Sequence, residues 1–395
     1  MANKRKKLKI FMIAPTSFFA DRGCHTRILE EAKALQRLGH EVVIYTYHNG
    51  RDIKGIRTKR IINIPWYNKL NAGPSWHKIY LDILLFFKSY FGVLKEKPNL
   101  MYVHLQEGAL IGGWINKFLT KKIPLIADLQ DILIHELKEY NFIKEKTLRY
   151  LFFNWLEKSI LRLPNFILTS SLSCKKMIIK EYNFSKQKID TLMQGVDTNL
   201  FRPSYNVSKF RKKLNLPQKN VVLYMGLLNY NQGVDVLFKA IPKVLKKITD
   251  AHFFIIGYPN IEKYMKIAKE KKFYKNITFQ DKTPYHEIGK YVALANIGVS
   301  AKIGDSESND KVLAYMATGL PCAVSDVGIN KELLQDLGFF SRITDPDSLA
   351  DAIIKALKCK DKGLGKKSRE RVKKLYSWDS RGKQIINTYE KLISK

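Results

Sequence analysis

Two segments of the chain combine residue types that hold anions. Residues 226–233 begin on Gly226 and end on Gly233, just before a helical pattern opening at Val234, and Asn309 precedes a second helical pattern. The first N–H groups of a helix have no partner within it, and the helix dipole adds partial positive charge, so both starts suit a phosphate. Lys302 and Lys311 flank the acidic stretch 305–310, which contains Glu307, and Arg22 precedes Gly23 at the end of an N-terminal loop. These cations are placed to neutralise phosphate charge. In the other half, His104 ends an apolar run and Glu107 follows three residues later, an imidazole and a carboxylate suited to hydroxyl contacts. No paired-carboxylate arrangement of a hydrolase is evident. Cys24, Cys174, Cys322 and Cys359 lack the spacing of a zinc site or redox dithiol and read as small, mostly buried residues in a reducing compartment.

Positioning such residues takes strands followed by helices. Residues 8–14 are a continuous apolar run suited to a buried parallel strand, residues 15–24 a loop, and residues 26–38 a helix whose apolar positions recur at helical spacing until Gly39. A strand over 41–47 completes a βαβ unit. The same grammar predicts strands at 100–104, 123–127 and 166–170, then a second series at 221–225, 252–256, 277–279, 297–300 and 322–325. Helices at 234–247 and 311–317 belong to the second series, and the turn-rich stretch 195–203 reads as the linker. The expectation is an α/β chain of two doubly wound, Rossmann-like domains facing a cleft at their strand C-terminal ends. At 395 residues the chain exceeds the size one core normally supports.

Charge narrows the partners. With 69 Lys+Arg against 36 Asp+Glu the formal net charge is +33, which points to a polyanion: nucleic acid, an anionic membrane face or a phosphate-rich substrate. No helix-turn-helix, ribonucleoprotein or zinc pattern accompanies the charge, so no nucleic-acid partner is expected. Residues 66–94 interleave Trp66, Tyr67, Trp76, Phe86, Phe87 and Phe91 with lysines, and residues 150–163 repeat the combination around Phe152, Phe153 and Trp155. Basic aromatic helices of this kind either lie in a membrane interface or pack on a sheet as ordinary amphipathic helices. No run of about 18 apolar residues exists to span a bilayer.

The ordered motifs resemble the retaining glycosyltransferases of the GT-B fold, family 4, also called glycosyltransferase group 1. The likeness covers nearly the whole chain. It rests on Gly23 and the sequence Leu38-Gly39-His40-Glu41-Val42, the strand Asn99 to His104, the stretch Gln194-Gly195-Val196-Asp197-Thr198 with Phe201-Arg202-Pro203, Gly226 and Gly233, and Tyr315-Met316-Ala317-Thr318-Gly319-Leu320-Pro321. Trp378 and the helix after it resemble the family's C-terminal helix that crosses back to the first domain. The chain departs from the family at five places, the first being Arg22, which stands where the first of two adjacent glycines usually lies. Leu227 and Gln232 stand where an Arg and a Lys usually hold the donor diphosphate, and Ser306 and Ala314 stand where two glutamates usually lie, with Glu307 one residue from the first.

The resemblance implies an N-terminal acceptor-side domain over 1–202, completed by the helix 376–395, and a nucleotide-sugar domain over 203–375. It implies transfer of a sugar from a nucleotide-diphosphate donor to a lipid-linked or glycan acceptor with retention, without a metal or other cofactor. His104, Glu107 and Glu307 would face the sugar and acceptor, while Gly23, Gly226, Gly233, Gly257, Lys302, Asn309 and Lys311 would surround the donor. An enzyme in the cytoplasm, bound peripherally to the inner face of the cell membrane, is expected. The alternative is a non-catalytic GT-B protein that scaffolds an active partner.

Overall fold

The computed structural model describes residues 7–20, 23–68, 75–139, 142–304, 308–361 and 363–394. Two parallel sheets organise them. Seven strands form the first: β1 (Lys9–Ala14), β2 (Glu41–Thr46), β3 (Arg57–Arg60), β4 (Leu100–His104), β5 (Leu125–Leu129), β6 (Phe166–Thr169) and β7 (Ile189–Thr191), in the order β3-β2-β1-β4-β5-β6-β7. Six form the second: β8 (Val221–Met225), β9 (His252–Ile256), β10 (Ile277–Gln280), β11 (Ile297–Ser300), β12 (Cys322–Ser325) and β13 (Gly338–Ser341), in the order β10-β9-β8-β11-β12-β13. In both sheets the strand order reverses beside the first strand, β1 or β8. Doubly wound sheets bind ligands at the strand C-terminal ends flanking that reversal.

The central strands read correctly from sequence because they are apolar on both faces; β1 is buried along its length beyond Lys9, and β4 and β5 are buried throughout. The unread strands β3, β7 and β13 all lie at sheet edges, where a strand such as Arg57-Thr58-Lys59-Arg60 needs no apolar run. The strand expected at 123–127 lies two residues later. Asn116 donates its amide to the Ile123 carbonyl at 2.7 Å and accepts the Ile123 N–H at 3.0 Å, which removes that residue from the ladder.

The chain divides into two compact units, 1–193 with 378–395, and 194–377. The sequence reading puts this boundary at 202/203. The stretch 195–203, read as linker, folds with the second unit: Val196 donates its N–H to the Tyr376 carbonyl at 2.8 Å, and the Arg369 guanidinium bonds the carbonyls of Thr198, Phe201 and Ala317. The first unit is closed by helix Trp378–Ile393. There Ile385 and Ile386 are buried against helix Gly23–Arg37, Gly382 lets the two backbones approach, and Arg37 meets Asp379 at 2.7 Å.

Glycine is required where strand ends of the second unit touch. A Cβ on Gly257, just after β9, would lie 2.0 Å from the Gly226 carbonyl oxygen, just after β8. Gly257→Ala must therefore force the two loops apart; overpacking of this kind costs about 1–3 kcal/mol. Chemical denaturation should show a loss in that range, and an unaltered midpoint would mean the loops part freely.

Candidate functional site

In the second unit, residues far apart in sequence converge at the C-terminal ends of β8 and β11. Gly226 leaves β8 at φ 134°, and the loop runs to Gly233, whose φ of 67° caps helix Val234–Lys247. A Cβ on Gly233 would strike the Ala301 carbonyl oxygen at 1.8 Å, so only glycine lets this loop touch the segment leaving β11. The Ile303 N–H donates to the Asn231 carbonyl at 3.0 Å and holds the two loops together. Lys302 lies between Ala301 and Ile303, buried, its Nζ donating to the Ser308 carbonyl at 3.1 Å.

Lys311 reaches the same place from the first turn of helix Asp310–Thr318. It is only 8% exposed. Its Nζ donates to Gln232 Oε1 at 2.5 Å and lies 5.5 Å from the centre of the Tyr224 ring. A Cβ on Gly226 would approach Lys311 Cε to 3.0 Å, so the glycine leaves room for the lysine stem. A cation thus stands against Gln232, one of the two positions where the sequence lacks the usual one. Asn309 lies at the start of the same helix. It is buried and donates to Ser300 Oγ at 3.0 Å and Asn330 Oδ1 at 2.7 Å, tying the start of the helix to β11. Arg22 and Glu307 lie outside the described residues.

The first unit buries an ionic cluster that sequence reasoning reached only through His104. Arg27, on helix Gly23–Arg37, donates from Nε to Asp128 Oδ2 at 2.8 Å and from Nη2 to Asp128 Oδ1 at 2.6 Å, and also to the Leu192 carbonyl at 2.7 Å. Its Nε lies 3.1 Å from Glu31, and the Tyr102 hydroxyl donates to Glu31 at 2.9 Å. His104 Nδ1 is 3.3 Å from Asp128. One guanidinium balances one carboxylate. Burial raises the Asp128 pKa, but Arg27 and His104 more than offset it and hold the group below its usual range. Glu31 takes the proton instead: burial and the Asp128 charge push it up to about 8. Burial pushes the His104 imidazole below its usual value, against the pull of Asp128.

His104 is therefore not the open cleft residue expected from sequence. It is 0% exposed, at the end of β4 where Leu105 turns at φ 63° into helix Leu105–Phe118. Glu31, His104 and Asp128 bring ligand atoms within 4.8 Å of one another, but Arg27 occupies both Asp128 oxygens, so the cluster already holds its cation.

Glu107 is partly open. It meets Lys78 at 2.7 Å, and although burial raises its pKa, the ammonium's charge and hydrogen bond bring it below the usual value. Nearby Asp82 accepts from the Tyr47 hydroxyl at 2.6 Å and is pushed up to about 8 by burial and by the Glu107 charge. No spacing in the sequence marks Tyr47 or Asp82 as members of this group. Gly23 begins its helix with open space around it, and His25 orders the loop before it: the Ala20 N–H donates to Nδ1 at 2.9 Å, leaving Nε2 to donate to Thr16 Oγ1 at 2.6 Å.

Residues 22–200 match the family described as Glycosyltransferase Family 4, and residues 219–359 match Glycosyl transferases group 1. Glycosyltransferase family models thus match both halves of the chain. The chain superposes on Anabaena HepE, solved with UDP and glucose, with a TM-score of 0.75 over 97% of this chain and 100% of that one, at 15% identity. The fold is GT-B. Among sequence relatives, an uncharacterised glycosyltransferase of Methanocaldococcus jannaschii is 24% identical over 57% of this chain and 59% of its own length. A component of the phosphatidylinositol N-acetylglucosaminyltransferase of Arabidopsis thaliana is 20% identical over 98% of this chain and 83% of its own. The chain spans 51% to 64% of the length of the curated relatives it matches first. In this GT-B chain Gly226, Gly233, Gly257, Lys302 and Lys311 gather at the strand reversal of the second unit, while His104 and Glu107 lie at that of the first.

Removing one partner from a buried ion pair strands the other, at a cost of about 3–5 kcal/mol, and Arg27→Ala should destabilise the chain by that amount in denaturant titration. Glu31 adds a pH dependence. Its folded pKa is raised from 4.5 to about 8, so the folded state binds the extra proton, and its contribution is complete below about 4.5 and lost as pH rises through about 8. Glu31→Gln should flatten the fall in melting temperature across that window; an unchanged slope would mean that Glu31 does not carry the proton.

Proposed function

We propose that the chain is a glycosyltransferase that moves a sugar from a nucleotide-diphosphate donor to a lipid-linked or glycan acceptor with retention at the anomeric carbon. The observation that carries this reading is the convergence of Lys311 on Gln232 and Gly226. A departing diphosphate gathers negative charge as the glycosidic bond breaks, and fixed donors and cations in a partly dry site stabilise it best. Lys311 enters from a helix where the usual cation of the loop is missing, Lys302 stands in the adjoining segment, and two helix starts add their N–H groups. The acceptor oxygen bonds to the anomeric carbon on the face from which the phosphate oxygen leaves, and that oxygen takes the acceptor proton. This needs no protein nucleophile, and with the lysines in place the proposed reaction uses no divalent ion.

The GT-B neighbour solved with UDP and glucose supports a nucleotide-sugar donor. The Arabidopsis relative is named for transfer to phosphatidylinositol, which supports a lipid-linked acceptor and a place at an anionic membrane surface for a chain of net charge +33. Among the described residues no helix is long and apolar enough to cross a membrane, so the attachment proposed is peripheral. Glu107, partly open and ionised against Lys78, is the proposed contact for sugar or acceptor hydroxyls.

Binding of nucleoside diphosphates and of the matching nucleosides, measured by calorimetry, tests the donor site. Lys311→Ala and Lys302→Ala should each weaken diphosphate binding about tenfold or more, the equivalent of one charge-assisted hydrogen bond of roughly 1.5–3 kcal/mol, and leave nucleoside binding little changed. Equal loss for both ligands, or none for either, would place the phosphates elsewhere.

A further inference from the structure

Helix His77–Glu96 is apolar on two opposite faces. Leu81, Leu85 and Val93 are buried in the core of the first unit, with Ser89 and Gly92 packed beside them. Away from the core, Trp76 at its N-cap, Ile79, Ile83, Phe87, Phe91 and Leu94 are exposed at intervals of three or four residues, so a second apolar stripe follows the helix along its whole length. A surface helix normally pairs one apolar face with one polar face. Phe91 is 65% exposed, Trp76 71%.

The stripe continues onto two neighbouring helices. On Leu105–Phe118, Trp114 and Phe118 are exposed; Phe118 meets Phe86 at 6.1 Å and stacks against Trp114 at 6.3 Å. On Leu148–Leu161, Leu148, Leu151, Phe152 and Trp155 are exposed, and ring contacts run from Trp76 through Phe142 and Phe153 to Phe152 and Trp155. Contiguous exposed apolar surface of this kind marks an interaction site.

Charge on the same three helices identifies the partner. Their acidic side chains all have partners on the protein: Asp82 the Tyr47 hydroxyl, Glu96 Arg57, Glu107 Lys78, and Glu157 the N–H groups of Leu133 and Ile134. Their basic side chains Lys88, Lys95, Lys117, Arg149 and Lys158 are exposed, and Lys117 lies 4.6 Å over the Trp114 ring. Exposed rings flanked by cations, with no fully exposed acid among the described residues of these three helices, match the headgroup region of an anionic bilayer.

We propose that the outer surface of helices His77–Glu96, Leu105–Phe118 and Leu148–Leu161 is a membrane-insertion face that seats its aromatic side chains at the headgroup–acyl boundary of an anionic lipid bilayer. This deepens the membrane part of the reading above and rests on it. It differs from attachment by charge alone, which salt reverses: the lysines supply about 1 kcal/mol each near an anionic surface, and the buried rings add a part that salt does not screen.

The tryptophans provide the readout. Of the chain's five, Trp66, Trp76, Trp114 and Trp155 are exposed on this unit and Trp378 is buried. The full chain is mixed with vesicles of phosphatidylcholine, alone or with phosphatidylglycerol, carrying brominated acyl chains. Tryptophan emission should shift blue and be quenched on the anionic vesicles, and part of the quenching should persist when salt shortens the Debye length to about 3 Å. Phe87→Ser with Phe91→Ser, and separately Trp155→Ser, should weaken vesicle binding at least tenfold without altering the melting temperature, since these side chains are exposed. Quenching that is absent, or wholly reversed by salt, overturns the proposal, as does a self-associated chain in which this face is covered by a second copy and vesicles are not bound. Nucleoside diphosphate binding on the same samples keeps the two readings apart: its loss with vesicle binding intact counts against the transferase alone.

Discussion

The first unit depends on one buried ion pair. Arg27 holds both oxygens of Asp128 and the carbonyl of Leu192, and so joins the first helix to the end of β5 and to the segment leaving β7. A guanidinium and a carboxylate out of water are tolerated only when their geometry is good and their remaining atoms are bonded. The cluster meets that demand by keeping its charge low: Arg27 and His104 hold Asp128 below the usual carboxylate range, while burial pushes Glu31 up and the His104 imidazole down, both toward their neutral forms. The imidazole at the end of β4 is consequently held by a network that spans β4, β5, the segment leaving β7 and a helix, which makes it a positioned residue with no open face.

The second unit depends on contacts that only glycine permits. Gly257 lies against the Gly226 carbonyl and Gly233 against that of Ala301, so the loops after β8, β9 and β11 close on one another with no side chain between them. Backbone N–H groups at the start of helix Val234–Lys247 thus lie beside Lys302 and Lys311, both buried. A lysine held this way has little rotamer freedom left to lose, which is the preorganisation that the proposed stabilisation of a leaving diphosphate requires. The missing cations at Leu227 and Gln232 do not leave the loop without positive charge, since Lys311 supplies it from a different element.

Much of this was legible in the amino-acid sequence. The central strands β4, β8, β9, β11 and β12 and the helix Val234–Lys247 fall where apolar runs and helical spacing put them, because a strand covered on both faces must be apolar throughout. Gly226 and Gly233 of the loop after β8 were legible too, since they bound a turn before a helix. The edge strands β3, β7 and β13 were not, because solvent on one side relaxes the demand for apolar residues.

Sequence alone therefore determined the class of fold, two doubly wound parallel sheets, and which glycines close the loops before helices, because periodicity and turn residues are local properties. Tertiary structure decided what those residues meet. Lys311 and Gln232 are 79 positions apart, and Arg27 and Asp128 are 101. No local pattern encodes such pairings, so the cation behind Gln232 and the burial of His104 appear only when crossovers bring strand ends together. The same holds for helix His77–Glu96, whose aromatic residues are equally consistent with core and membrane until packing on the sheet shows which of them remain outside.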